Sequence, residues 1–223
     1  MKLPREFYDR PTLEVARDLL GHLLVHRRGS AVTSGVIVEV EAYIGETDPA
    51  CHAACGPTTR NAPLYGPPGR AYVYLNYGIH ALVNAVTERE GRAAAVLIRA
   101  LSPVEGVRLM RQRRRREAKG IRPSSKPLAE GILCRGPGNL TRAMGITLAH
   151  NLADLGGDAL FVEEGRGPGG AIAWGPRIGI RVGRERQWRA WVAGHPAVSA
   201  PAGGDTLQPA DLTGHPEESS NGS

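Results

Sequence analysis

The sequence predicts a mixed α+β protein that folds as a single domain. Three observations support this: one segment with the spacing of an amphipathic helix, several segments that alternate like strands, and a length of 223 residues, which suits one core. Hydrophobic residues make up 41% of the chain and charged residues 22%, as in an ordinary globular domain. We place the domain at residues 1–200. Residues 201–223 contain no Lys or Arg and are rich in Gly, Pro, Ser and acids, so we expect a disordered acidic tail.

The first element is a helix, predicted over residues 11–24. Pro11 suits the first helical position, and Gly21 weakens the pattern near the other end. Apolar residues recur at spacings of three and four: Leu13, Ala16, Leu20 and Leu23 or Leu24. This face is expected to belong to the core.

A strand is predicted over residues 35–43, where valines alternate with a second set of side chains. That second face carries Glu39, Glu41 and Tyr43 after Ile37. Two acids on one face of an otherwise apolar strand have two explanations. The face is either exposed to solvent or part of a functional site.

Residues 44–70 are interrupted repeatedly by Gly and Pro and are predicted to form a long loop, which is often functional in a compact domain. Two strands are then predicted in residues 71–86, around the turn Asn76-Tyr77-Gly78. A further strand at 93–101 contains Arg99 among apolar neighbours.

The second half of the chain predicts less regular structure. A helix is expected at 103–117 and a short helix after the Gly-Pro pair that begins at 136. Strand-like pieces follow at 174–192, where Ile178, Ile180 and Val182 alternate.

Tyrosines are concentrated in the predicted hairpin, although the chain has only six Tyr, two Phe and three Trp. Tyr72 and Tyr74 share one strand face, and whether Tyr72 meets the core or a pocket is left open. Tyr77 has the opposite parity and lies at the turn, where its ring can reach outward.

Positive charge is concentrated in residues 108–126, which contain nine Lys or Arg and only Glu117 as an acid, in a chain of net charge +6. Such a run favours binding to phosphate backbones, and it is equally compatible with a solvated helix end. No apolar run reaches the ~18–20 residues that span a membrane, so we expect no membrane contact. Three cysteines without framework spacing indicate a reducing compartment, and we expect a cytoplasmic protein, nucleoid-associated if prokaryotic.

The sequence lacks the motifs of several kinds of catalytic and binding site. Cys51-His52-x-x-Cys55 resembles part of a zinc site, but only Cys134 remains as a further cysteine and no second ligand pair follows. The phosphate-binding and nucleotide-binding glycine patterns and the serine nucleophile motif are also missing. We therefore expect no metal and no cofactor.

The remaining candidate chemistry combines carboxylates, aromatic rings and one arginine. Arg99 is costly to bury alone, and pairing with Glu39 or Glu41 removes that cost. A carboxylate held beside an arginine can orient and deprotonate a water, and aromatic faces suit a flat, electron-poor base.

Three stretches carry a family resemblance: VEVEAYIGETDPACH (38–52), PPGRAYVYLNYGIHALVN (67–84) and VLIRALSPVEGVRLMRQ (96–112). In this order they are similar to the alkyladenine (3-methyladenine) DNA glycosylase family, and the resemblance runs from about residue 4 to about residue 195. It implies a curved antiparallel β-sheet with surrounding helices and a protruding β-hairpin. Cys51 and Cys55 depart from the family pattern and receive no role.

The resemblance implies a base-excision repair enzyme that flips alkylated or deaminated purines out of duplex DNA and hydrolyses the N-glycosidic bond. The expected substrates are 3-methyladenine, hypoxanthine, ethenoadenine and 7-methylguanine. Glu41 would activate the water, Arg99 would help to hold it, and a backbone carbonyl near Ile180 would assist.

The resemblance also implies how the flipped base is bound. Tyr43 and His52 would sandwich it, and Tyr74 would close the edge of the pocket. Asn84 would disfavour an exocyclic 2-amino group. Tyr77 would fill the gap left in the DNA helix.

The partner implied is double-stranded DNA that contains a damaged purine, bound by a monomer. Phosphate contacts are expected from the basic run: Arg111, Arg113, Arg114 and Arg115. Two alternatives stay open. A non-catalytic nucleic-acid-binding module would use the same basic run, and a hydrolase of free nucleosides would use the same carboxylate.

Overall fold

The computed structural model describes residues 1–116 and 128–199. The proposed acidic tail and residues 117–126 of the basic run lie outside the described residues. The helices are α1 (Arg5–Tyr8), α2 (Thr12–Leu19), α3 (Val107–Arg116), α4 (Glu130–Leu133) and α5 (Pro137–Met144). The strands are β1 (Leu23–Arg28), β2 (Ala31–Ile44), β3 (Ala71–Asn76), β4 (His80–Val86), β5 (Ala94–Glu105), β6 (Leu160–Glu163), β7 (Ile172–Gly175) and β8 (Arg189–Val192).

One antiparallel sheet organises the domain, with strand order β3-β4-β5-β2-β1-β6, while β8 pairs with both β2 and β7. The two long strands β2 and β5 form its centre, and their register shifts near Glu39. Such bulges bend a strand and increase its twist, which helps the sheet to curl. The predicted single mixed α+β domain with a curved antiparallel sheet is confirmed. The boundary at residue 200 stays a prediction.

The core lies where α2, α3 and α5 pack on the sheet. Buried apolar side chains from the helices, such as Leu19, Met110 and Leu140, meet those of the central strands, such as Ile37 and Ile98. This packing fixes the central strands and so fixes the side chains on their other face.

The hairpin of β3 and β4 forms as predicted. Its register pairs Asn76 with His80, and Tyr77 and Gly78 occupy the turn with φ of 49° and 70°. The strand predicted at 93–101 is the first part of β5, and the strand predicted at 35–43 is the greater part of β2.

The predicted helix over 11–24 is wrong at its end. The helix stops at Leu19, and Leu23 begins β1. Gly21 has φ of 92°, and a Cβ there would lie 2.0 Å from the carbonyl carbon of Gly167, so the chain turns away at this glycine. Leu23 and Leu24 therefore fit the helical spacing without belonging to the helix.

The prediction of a strand from the alternation of Ile178, Ile180 and Val182 is also wrong. Strands β7 and β8 lie at the two ends of the predicted range, and residues 176–188 between them have no regular structure. Gly179 and Gly183 both adopt positive φ there, which breaks the extended conformation. This segment crosses to the end of β2 and forms one wall of the site.

Candidate active site

A cavity of about 370 Å³ opens between the hairpin, the end of β2 and the segment 176–188. Its walls combine aromatic rings with apolar side chains and one arginine. All the residues predicted for the base pocket line it: Tyr43, His52, Tyr74, Asn84 and Ile180. Arg99, predicted to be catalytic, and Tyr77, predicted to enter the DNA, also line it, whereas Glu41 is fully buried behind the wall. The structure adds Cys51, Tyr72, Pro137 and Ile178 among others. The structure therefore brings together residues that lie up to 137 positions apart in the sequence.

Buried charges meet at the bottom of this cavity. The Nε atom of Arg99 lies 3.0 Å from Oε1 of Glu39, and its Nη1 lies 3.1 Å from Oε2 of Glu41. Both carboxylates are fully buried, so the alternative of a solvent-facing strand face is wrong. Burial acts to lower the pKa of Arg99, but the charges of Glu41 and Glu39 outweigh it and raise that pKa.

Glu39 also contacts Arg189 and Ser199. Its Oε1 lies 3.1 Å from Nε of Arg189, and its two oxygens also accept bonds of 2.6 and 2.7 Å from the backbone N–H and the hydroxyl of Ser199. Because Glu39 is fully engaged with the protein, it fixes Arg99 rather than facing the cavity.

Glu41 has a different environment. Its Oε1 accepts the backbone N–H of Ile178 at 2.7 Å, and its Oε2 accepts the hydroxyl of Tyr43 at 2.8 Å beside Arg99. A carboxylate oxygen has two lone pairs. Among the described residues, two donors contact Oε2 and one contacts Oε1, so Oε1 keeps a lone pair for a further donor.

Aromatic rings form the opposite wall. The ring centroids of His52 and Tyr74 lie 4.5 Å apart, those of Tyr72 and Tyr74 lie 5.2 Å apart, and Nδ1 of His52 is 2.9 Å from the hydroxyl of Tyr72. Tyr72 therefore meets the cavity and orients His52, which decides the question left open by the sequence. Burial, and then the charge of Arg60, lowers the pKa of His52, so the ring is neutral at pH 7.

Asn84 and Ile180 occupy the remaining predicted positions in the wall. The Asn84 side chain is buried and donates from Nδ2 to the carbonyl of Tyr72 at 3.0 Å, which leaves its oxygen available. Ile178 lies beside Ile180, and sequence reasoning missed it because no local pattern marks a backbone N–H that binds a distant carboxylate.

Tyr77 stands at the outer end of the cavity. It is 85% exposed at the tip of the hairpin, next to Ile79 at 73%. A large aromatic ring in solvent and a positive φ at the same residue are both unusual.

Some arginines of α3 form hydrogen bonds and ion pairs within the protein. Arg111 bonds Glu130 at 3.1 Å and the carbonyl of Leu128, and Arg113 donates to the carbonyl of Met144 at 2.6 Å. Arg114 is half-buried, whereas Arg115 is exposed. Burial lowers the pKa of Arg113, and its contacts tie α3 to the end of α5.

The unassigned cysteines differ in exposure. Cys51 is buried, lines the cavity and receives the N–H of Ala53 on its sulfur at 3.5 Å, and burial raises its pKa to about 11. Cys55 is exposed. Within residues 1–116 and 128–199, no three His, Cys, Asp or Glu side chains are grouped as metal ligands, and no helix is long and apolar enough to cross a membrane.

Comparison with known proteins agrees with this architecture. Residues 6–196 match the family model described as methylpurine-DNA glycosylase. Three similar proteins carry the provisional name 3-methyladenine DNA glycosylase. The protein of Methanocella arvoryzae is 47% identical over 207 residues, which cover 91% of this chain and 98% of the relative. That of Chlorobaculum tepidum is 43% identical (89% and 90% covered), and that of Rubrobacter xylanophilus is 49% identical (82% and 90% covered).

These matches show that the chain is a DNA glycosylase, an enzyme of DNA repair that acts on DNA. It belongs to the methylpurine-DNA glycosylase family. The resemblance drawn from the three sequence stretches is therefore confirmed.

Proposed function

We propose that this enzyme, acting as a monomer, flips alkylated or deaminated purines out of duplex DNA and hydrolyses their N-glycosidic bond with a water activated by Glu41. The substrates are 3-methyladenine, hypoxanthine, ethenoadenine and 7-methylguanine. The observation that carries the proposal is the place of Glu41, a buried carboxylate beside a cavity walled by aromatic rings, with one lone pair of Oε1 unused.

Activation of the water rests on the geometry around Glu41. Three donors hold the carboxylate in place, so the unused lone pair of Oε1 has a fixed direction. A water bound there gives its proton to Oε1 as its oxygen bonds to the anomeric carbon, while the N-glycosidic bond breaks and its electron pair leaves with the purine. Arg99, whose Nη1 lies beside Oε2, helps to hold the water, and the backbone near Ile180 supplies a further acceptor. The negative charge of Glu41 also stabilises the positive charge that develops on the sugar.

Binding of the base rests on the aromatic wall. Tyr43 and His52 enclose a flat ring from two sides and Tyr74 closes the edge, an arrangement that suits a purine in a cavity of this size. Cationic alkylated purines are attracted to the electron-rich faces of tyrosine. Asn84 meets the base from the wall and disfavours an exocyclic 2-amino group.

Flipping leaves a gap in the duplex, and Tyr77 is placed to fill it. An exposed ring at the tip of a hairpin can stack between base pairs and so offset part of the cost of unstacking. We also propose that the arginines at 111 and 113–115 contact phosphates. The exposed Arg115 is the most accessible of them, while Arg111 and Arg113 would exchange internal partners for phosphate oxygens.

The test is Glu41→Gln, assayed for base release from duplexes that contain hypoxanthine or 3-methyladenine. Loss of the general base is expected to slow excision by about 10²–10⁴-fold while the variant still binds damaged DNA. Glu130→Gln is the matched control, because Glu130 is an exposed carboxylate on α4 that contacts Arg111, and the change is expected to leave excision unchanged. Excision at the wild-type rate by Glu41→Gln contradicts the assignment of the base.

The same assay separates the alternatives. A non-catalytic binding module would bind DNA tightly at low salt and release no base from any damaged duplex. A nucleoside hydrolase would turn over free inosine as fast as it releases hypoxanthine from DNA.

A further inference from the structure

A buried ion pair lies behind Tyr43, outside the cavity. Arg177 contacts Asp48 through two nitrogen–oxygen pairs of 2.5 and 2.8 Å, and both side chains are fully buried. Asp48 also accepts the backbone N–H of Ala50, and Arg177 also donates to the carbonyl of Ala42. The pair therefore joins the loop before His52 to the segment that carries Ile178.

Arg177 lies over the ring of Tyr43, with its central carbon 4.6 Å from the ring centroid. Tyr43 lines the cavity and Arg177 does not, so the guanidinium covers the ring from behind and leaves the other face for a ligand. A base stacked on that face would lie about 8 Å from the guanidinium, which adds a van der Waals contact of about 3.5 Å to the 4.6 Å on the other side of the ring.

The charge of Arg177 matters at this distance because both groups are shielded from water. A cationic base would be repelled by an unpaired guanidinium, whereas a neutral base would not. Asp48 supplies the opposite charge. Arg186 is a second cation near Asp48, with Nη1 at 3.8 Å from Oδ1, and Glu41 accepts a hydrogen bond from the hydroxyl of Tyr43.

We propose that Asp48 is a specificity-determining residue, which neutralises Arg177 behind Tyr43 and so allows cationic, alkylated purines to stack in the cavity. Removal of Asp48 leaves a net positive charge behind the ring and selects against cationic bases. Removal of Arg177 leaves Asp48 beside Arg186, which lowers the positive charge behind the ring and selects for cationic bases. The inference rests on the proposed function, because it requires the base to stack on Tyr43.

The experiment measures the single-turnover excision efficiency for two bases, 3-methyladenine as the cation and hypoxanthine as the neutral base. Neither base has a 2-amino group, so Asn84 does not distinguish them. Asp48→Asn keeps the shape of the side chain and is expected to lower the ratio of 3-methyladenine to hypoxanthine excision by about tenfold, the effect of like charges about 8 Å apart in a partly shielded site. Arg177→Met is expected to raise the ratio. The double variant Asp48→Asn/Arg177→Met is expected to restore it.

A purely structural role for the pair predicts something else. Both excision rates would then fall by the same factor in each variant, and an unchanged ratio overturns the proposal. If Asp48→Asn does not fold, Arg177→Met and the double variant still decide the question, since only a charge effect raises the ratio in one and restores it in the other. Phe161→Leu, a change to a buried ring on β6 away from the cavity, controls for loss of stability and should leave the ratio unchanged.

Failure of the inference is distinguishable from failure of the proposed function. Excision at the wild-type rate by Glu41→Gln, or release of neither base by the wild-type enzyme, rejects the function. Active variants that share the wild-type ratio reject only the role of Asp48.

Discussion

Tyr77→Asn is expected to stabilise the protein while it damages the enzyme. Tyr77 has φ of 49° and is followed by Gly78 at 70°, so two successive residues adopt the left-handed conformation of a hairpin turn. An L residue other than Asn or Gly pays about 1 kcal/mol or more there, and Asn-Gly is the sequence that such turns favour. Because Tyr77 is 85% exposed, its ring contributes little to packing in the free protein. The expected gain is about 0.5–1 kcal/mol in the free energy of unfolding.

Tyr77→Asn is expected to weaken the binding of the flipped nucleotide in DNA. If the ring of Tyr77 stacks in the gap left by the flipped nucleotide, its loss removes about 1–3 kcal/mol of stacking. Capture of the flipped state then weakens by roughly five- to 150-fold, since 1.4 kcal/mol is tenfold. Tyr77→Phe keeps the ring and the strain, so this control is expected to match the wild type in both respects.

Two measurements check this prediction. Urea unfolding gives the stability, and 2-aminopurine fluorescence opposite or beside a hypoxanthine gives the flipping equilibrium, with single-turnover excision alongside. Wild-type flipping by Tyr77→Asn would refute the role of the ring as a wedge. A fall in stability would refute the reasoning from backbone strain, whatever happens on DNA.

Three further predictions concern the pocket, the basic run and pH. Tyr74→Ala is expected to change the relative excision of different damaged bases, whereas Tyr77→Ala is expected to lower the excision of all of them. Equal excision profiles would show that the roles of Tyr74 and Tyr77 are assigned wrongly. Arg115→Ala is expected to weaken binding to damaged and undamaged DNA alike. The slope of the logarithm of the binding constant against the logarithm of the salt concentration is expected to become smaller by about one. Unchanged affinity at low salt would show that Arg115 is only a solvated side chain. The free energy of unfolding is expected to fall as the pH is lowered from 7.5 to 5.5 in urea titrations. Burial lowers the pKa of several histidines in the folded state below the unfolded value of about 6.5, so the unfolded chain takes up protons first. A free energy of unfolding that does not change with pH contradicts this. These histidines are His22, His26, His52 and His195.

Strand periodicity was sufficient to predict much of the site. Alternation in β2 places Glu39 and Glu41 on one face, and the need to pair Arg99 identifies their partner, although the structure pairs it with both acids rather than one. The same parity argument separates Tyr74, which lies in the wall of the cavity, from Tyr77, which lies at its outer end and is 85% exposed. These predictions succeed because they depend on the fixed side-chain period of a strand.

Local patterns fail where long-range contacts decide the conformation. Leu23 continues the helical spacing of α2, but pairing with β2 and β6 places it in a strand. Ile178 and Ile180 alternate like a strand, yet Arg177 binds Asp48, 129 residues earlier, and the backbone follows that contact. Neither partner carries a signal in its own neighbourhood, so a single sequence does not reveal the contact.

Charges of alternating sign continue from one side of the cavity to the other, and this explains how carboxylates can be buried there. An unpaired buried charge costs several kcal/mol, whereas here each charge has a neighbour of opposite sign or a hydrogen-bond donor. The ring of Tyr43 lies between Arg177 and Glu41 in this series. Its hydroxyl donates to Glu41, and Arg177 covers one face of the ring. A change of charge behind the ring is therefore felt by the stacked base and, through the hydroxyl, by Glu41, so substitutions at the two ends should not be additive. In order, the series is Asp48, Arg177, Glu41, Arg99, Glu39 and Arg189.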